Sequence, residues 1–129
     1  MAVVNAIYQD HSQVGDYLND AVLPLWTLSA GDVGAPVKMG AFSDRTVHFC
    51  GTFSGGSLEL RGSNKPNPDP ENAADWFTIT DPKLTTPLSG ITSNSGFVLY
   101  ENPLFVSPKV TGGDGATNLQ TYILGRKKQ

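Results

Sequence analysis

TVHFCGTFSGGSLELRGSN, residues Thr46 to Asn64, is the stretch that decides the fold class. Val47, Phe49 and Phe53 alternate with His48 and Thr52. Leu58 and Leu60 alternate with Ser57, Glu59 and Arg61. A strand sends successive side chains to opposite faces, so a period of two marks a half-buried strand. Ser54-Gly55-Gly56 separates the two runs, and glycine supplies the positive φ of a tight turn. The stretch therefore predicts a β-hairpin with one apolar face. A lone hairpin is marginal in water, so the rest of the chain must cover that face. Phe49, mid-strand and in register with Val47, is expected between the sheets.

Outward from this stretch, the chain continues as short apolar runs cut by turns. Strands are predicted near Leu25–Ser29 and Pro36–Phe42, at Trp76–Thr80, Gly96–Glu101 and Leu104–Val110, and over Thr117–Gly125. In the last of these, Leu119, Thr121 and Ile123 share one face and Gln120, Tyr122 and Leu124 the other. Pro108 lacks an N–H, so its strand is expected at an edge or a bulge. Lys65–Asp75 carries alternating prolines and predicts an extended surface loop. Lys83–Ser95 is a second loop, and Thr111-Gly-Gly-Asp-Gly a hairpin turn. Closely spaced short strands with turn signals between them predict an all-β domain. The expected fold is an antiparallel β-sandwich of jelly-roll or Greek-key type, residues 25–129, preceded by an N-terminal arm, residues 1–24. The arm has no period of two. Its apolar residues Val3, Val4, Ile7, Tyr8, Val14, Tyr17 and Leu18 are too many for a solvated tail. They are expected to be buried on a partner or on the outside of the sandwich near Trp76.

Composition narrows the function classes. The formal net charge is −3, and the basic cluster Arg126-Lys127-Lys128 lies at the C-terminus. No basic stripe of the kind that binds nucleic acid appears. No apolar run reaches the roughly 18 residues of a membrane span, and no signal peptide is recognisable. Cys50 is the one cysteine, so no intrachain disulfide is expected.

Candidate chemistry is sparse. His48 and Cys50 share a strand face, but a zinc site needs about four ligands, and the other histidine, His11, is in the arm. Asp69, Glu71, Asp75 and Asp81 gather in or beside the Pro-rich loop without an EF-hand pattern. The Thr111 turn lacks the lysine and helix of a phosphate loop. No catalytic residues, metal or cofactor are expected. Trp26 and Trp76 could instead stack on a sugar, which keeps a carbohydrate-binding adhesin as an alternative.

GTFSGGSLELRGSN, DWFTITDP and ENPLFVSPKVTGGDGATNLQTYILGRKK, taken in this order, resemble the small capsid decoration, or cement, proteins of tailed bacteriophages. The resemblance runs from Phe49 to Lys128. The Pro-rich insertion Lys65–Pro70 departs from the pattern. The resemblance implies a virion-surface β-sandwich without catalytic residues, made in the host cytoplasm and bound between capsomers. It implies the major capsid protein as partner, self-association as a dimer or trimer, and stabilisation of the assembled head shell. Val4, Ile7, Tyr8, Tyr17, Leu18 and Trp76 are the expected interaction residues.

Overall fold

The computed structural model describes residues 2–8, 21–81 and 87–127. Its strands are β1 (Val3–Val4), β2 (Ile7–Tyr8), β3 (Ala21–Val22), β4 (Pro24–Leu28), β5 (Val33–Gly34) and β6 (Val37–Lys38). They continue with β7 (Asp44–Thr52), β8 (Gly56–Ser63), β9 (Phe77–Thr78), β10 (Ser95–Val98), β11 (Phe105–Gly112) and β12 (Asn118–Arg126). Sheet one has the order β1-β5-β11-β8-β9, with β6 also on β11. Sheet two has the order β10-β7-β12-β4-β2, with β3 also on β12. All pairings are antiparallel except that of β1 with β5. The expected all-β sandwich is therefore what the chain forms. Its connections from β4 to β5, β6 to β7, β9 to β10 and β10 to β11 all change sheets, the winding of a jelly roll.

The decisive stretch forms its two strands but not its hairpin. β7 pairs with β12 and β10, while β8 pairs with β11 and β9. The chain between them, around Ser54 and Gly55, is an arch from sheet two to sheet one. Val47 and Phe49 on one sheet and Leu58 and Leu60 on the other are buried in the same core. A hairpin would have set both apolar faces side by side; the arch sets them against each other. The turn residues serve either geometry. Ser54 and Gly55 have φ of 44° and 82°, and the Gly56 amide donates to the Phe53 carbonyl at 2.7 Å. What differs is the length of ladder available. β8 pairs with β11 from Gly56↔Gly112 to Ser63↔Phe105. β7 pairs with β12 from Asp44↔Arg126 to Thr52↔Asn118.

The Thr111-Gly-Gly-Asp-Gly segment, expected as a hairpin turn, is a second arch, joining β11 to β12 across the sandwich. The two arches latch together. The Thr117 hydroxyl donates to the Phe53 carbonyl at 3.2 Å, and the Ser54 hydroxyl to Asp114 Oδ1 at 2.7 Å.

Pro108 stands in β11, which is central rather than at an edge, and it faces a bulge: between the pairs Val106↔Val37 and Lys109↔Val33, Ser107 and Pro108 stand opposite the three residues Gly34, Ala35 and Pro36. The Val110 amide donates towards Asp32, so the Pro108 nitrogen faces the same side. There the neighbouring strand is interrupted between β5 and β6, and no ladder bond is lost. Ser107 Oγ fills the gap by donating to the Gly34 carbonyl at 2.7 Å.

The N-terminal residues also differ from expectation. Val3–Val4 adds to sheet one beside β5, and Ile7–Tyr8 adds to sheet two beside β4. Two-residue strands are too short to show a period of two, which is why the sequence reads as irregular there.

Phe49, Trp26, Leu58, Leu60, Leu119 and Ile123 are all 0 % exposed. Removing a buried phenylalanine loses both its transfer free energy and the packing around the hole. Phe49→Ala is expected to lower the unfolding free energy by about 3–5 kcal/mol, measured by denaturant titration. Gly51 has φ of 122°, and a Cβ there would meet the Asn118 carbonyl oxygen at 2.3 Å. Gly51→Ala is therefore expected to lower the melting temperature as well.

Candidate functional site

Alternation along each strand sends one set of side chains into the core and the other outward. On sheet two the outward set includes several large apolar side chains. The register places Ile7 beside Leu25, Leu25 beside Tyr122, Tyr122 beside His48, and His48 beside Gly96. One row further along, Leu124 lies beside Thr46 and Thr46 beside Val98. Ile7 is 67 % and Val98 49 % exposed. Leu25, Tyr122 and Leu124 are half-buried. The His48 and Tyr122 rings stack with centroids 5.9 Å apart. The charged residues of β2, β4, β7, β10 and β12 are Asp44, Arg45 and Arg126. Arg45 points inward and is 1 % exposed. Asp44 and Arg126 are register neighbours at one end of the face. Beside them lies a hollow of about 190 Å³ lined by Asp44, Thr46, Leu124 and Arg126. A shallower groove, lined by Thr46, Val47, Gly96, Phe97 and Val98, follows β10.

The outside of sheet one is built differently. Arg61 is 4 % exposed, and its guanidinium lies 4.6 Å from the centroid of the Trp76 ring. It donates to Ser107 Oγ at 2.8 Å and to the Pro70 carbonyl at 3.2 Å. Burial lowers its pKa, partly offset by Glu59. The Trp76 indole N–H donates to the Asp69 carbonyl at 2.8 Å. Asp75 staples the same loop, accepting from Lys65 Nζ at 2.6 Å and from the Asp69 amide at 2.9 Å. The Lys65 bond, then the Asp69 amide, hold the Asp75 carboxyl below its ordinary pKa of 3.8. The Pro-rich loop is thus a clasp over a buried arginine. Two of its carboxylates, Asp69 and Asp75, accept bonds from within the loop.

Arg45 is the second buried cation. Its Nη2 donates to the Glu101 backbone carbonyl. Desolvation lowers its pKa to about 10, against the pull of Glu101. Glu101 accepts from the Thr80 amide at 2.8 Å and the Thr80 hydroxyl at 2.6 Å. Burial raises its pKa, but the Thr80 bonds and Arg45 outweigh this and leave it lowered.

The expected interaction residues do not gather in one place. Ile7 joins the outer face of sheet two. Tyr8, 57 % exposed, lies next to it at the margin. Val4 packs against the core. Trp76 sits on sheet one over Arg61, away from the N-terminal strands. Tyr17, Leu18 and His11 lie outside the described residues. Sequence reading missed Leu25, Tyr122, Leu124 and Val98. The available signal was that Thr117–Gly125 carries large apolar residues on both faces. Cys50 and His48 stay on the outer face of β7; among the described residues, no three His, Cys, Asp or Glu side chains cluster as a metal site requires.

No family model matches the chain, and no curated protein matches it. Among solved structures, the SPBc2 prophage-derived protein YomS is similar, with a TM-score of 0.56 and 12 % identity over 85 % of this chain and 97 % of that one. A cupin domain from Bordetella pertussis Tohama I gives 0.49 and 12 % over 99 % of both chains. A cupin superfamily protein from Desulfitobacterium hafniense gives 0.42 and 7 % over 88 % of this chain and 72 % of that one. At such identities the likeness is one of fold. None of these is a capsid decoration protein, so the family resemblance drawn from motif order is overturned. Its motifs are glycine, asparagine and proline turns, which any sandwich of short strands needs.

The Asp75 clasp has a pH signature. A carboxyl held below its ordinary value stabilises the folded loop above that value, and the contribution is lost as pH falls through the lowered one. Limited proteolysis within residues 65–75 is expected to speed up as pH drops below about 4. Asp75→Asn should give the faster cleavage already at neutral pH. Equal cleavage of the variant and the parent at neutral pH would remove Asp75 from this role.

Proposed function

We propose that this chain is a structural protein that acts by binding, laying the outer face of sheet two on an assembled protein shell and adding buried surface to it. The observation that carries this reading is the row Ile7, Leu25 and Tyr122, with Leu124 and Val98 beside it. Its charges stand at one end only. Contiguous apolar surface on a sheet face marks an interaction site, and interface cores are depleted of charge and enriched in aromatic residues. A protein that binds the assembled state alone stabilises that state by mass action.

The prophage origin of YomS directs the first test to phage particles, with the major capsid protein as partner and the virion surface as location. A glycan-binding reading needs an exposed tryptophan platform. Trp26 is 0 % exposed, and Trp76 is engaged by Arg61 and the Asp69 carbonyl, so sheet two is the better supported surface.

The test is co-sedimentation with assembled phage heads. Tyr122→Ala and Leu25→Ser should each weaken binding about tenfold or more, as central anchors of an interface do, and leave the far-ultraviolet circular dichroism unchanged. Trp76→Ala should bind as the parent does. Binding that survives both sheet-two substitutions would sink the proposal. Binding lost only with Trp76 would move the site to the Pro-rich clasp.

A further inference from the structure

The outer face of sheet one carries a small hollow beside the Pro-rich clasp. It measures about 90 Å³, and its walls include Glu59, Arg61, Trp76, Phe77, Thr78 and Lys109. Alternation explains the gathering. Leu58 and Leu60 enter the core, so Glu59 and Arg61 face outward. The register sets Lys109 of β11 beside Glu59, and Ser107 and Thr78 on either side of Arg61. Three strands and the clasp therefore converge on one spot.

The polar groups there are unevenly satisfied. The Thr78 hydroxyl donates to Glu59 Oε2 at 2.5 Å. The Trp76 indole N–H is taken by the Asp69 carbonyl, and Asp75 is paired with Lys65. Arg61, 4 % exposed, gives Nη2 to Ser107 and Pro70, but its Nε–H is buried without an acceptor. Lys109 is half-buried, and among the described residues no hydrogen bond or ion pair holds its ammonium. The walls thus carry two cations against one carboxylate, a local positive surplus in a chain of formal net charge −3. A buried guanidinium short of an acceptor is costly, and an anionic acceptor beside it offsets that cost.

We propose that this hollow binds a small carboxylate, its oxygens turned to the Arg61 guanidinium and the Lys109 ammonium. One negative charge balances the surplus. The volume admits a group of about three heavy atoms, a carboxylate rather than a sugar ring. Trp76 and Phe77 supply apolar walls for the body of the ligand and no hydrogen bond. The site is preorganised, because Ser107, the Pro70 carbonyl and the Trp76 ring already fix Arg61, so little ordering is left to oppose binding. The hollow lies on the opposite face from the shell-binding surface and does not need that reading.

Acetate titrated into isotope-labelled protein at fixed ionic strength, with chloride as reference, tests it through the N–H resonances of the NMR spectrum. The Trp76 indole and Arg61 Nε–H resonances should shift and saturate with acetate and not with chloride. The Trp26 indole, buried and bonded to the Ala35 carbonyl, should stay in place and report an intact fold. Lys109→Gln removes the surplus charge and should weaken acetate binding about threefold or more. Glu59→Gln keeps an acceptor for Thr78 but removes the opposing charge, and should tighten binding by a similar factor. Shifts that fail to saturate or that chloride reproduces would overturn the proposal. So would unchanged binding in Lys109→Gln or weaker binding in Glu59→Gln.

Discussion

The structure depends on the burial of β7 against β8 from opposite sheets. Val47 and Phe49 look down from sheet two, Leu58 and Leu60 look up from sheet one, and the connection must cross the core to put them there. Once that crossing is made, each strand needs a new neighbour. β12 and β11 supply the two longest ladders, and they in turn must be joined by a second crossing. The two crossings lie side by side and are fastened through Thr117, Phe53, Ser54 and Asp114. Gly113, with φ of 97°, lets Thr117 approach: a Cβ there would stand 2.5 Å from its hydroxyl. At this joint Gly112 and Gly113 combine positive φ with close approach, Gly112 to the Gly55 carbonyl and Gly113 to Thr117.

Two buried arginines extend the same logic to the surface layers. A buried cation is costly unless its N–H groups find acceptors. Arg61 finds Ser107 and the Pro70 carbonyl and lies under Trp76, so the Pro-rich loop has something to close upon. Arg45 draws in the Glu101 carbonyl, and Glu101 draws in Thr80. Through these contacts a segment of sequence that reads as loose surface becomes part of the ordered fold. They also take Trp76 out of the set of free binding residues. Arg61 and Trp76 are far apart in the reading of either strand alone, and only their pairing across the loop gives each its role.

The binding surface follows from the same architecture. β12 is central in sheet two, so its outward residues Tyr122 and Leu124 fall in the middle of a face rather than at a rim. Ile7 reaches that face because the N-terminal strands split between the two sheets. The row that results draws on β2, β4, β12 and β7, which lie far apart in the chain.

The sequence by itself determined the class of structure and the identity of the core. Alternation assigned β7 and β8 and buried Phe49, because the period of two is a property of the strand backbone and survives any arrangement of sheets. The prolines and glycines marked the loops for the same local reason. The tertiary structure alone decided which strands pair. A glycine turn permits a hairpin or an arch, and the choice at Ser54–Gly55 rests on ladders made with residues 42 to 82 positions away. Pro108 shows the same limit: its missing N–H predicts a free side, and only the break between β5 and β6 shows that a central strand can have one. The apolar face of sheet two was likewise present in Thr117–Gly125 as large residues on both sides of one strand. Which side is core and which is surface depends on where the other sheet lies, and that is a fact of packing and not of local sequence.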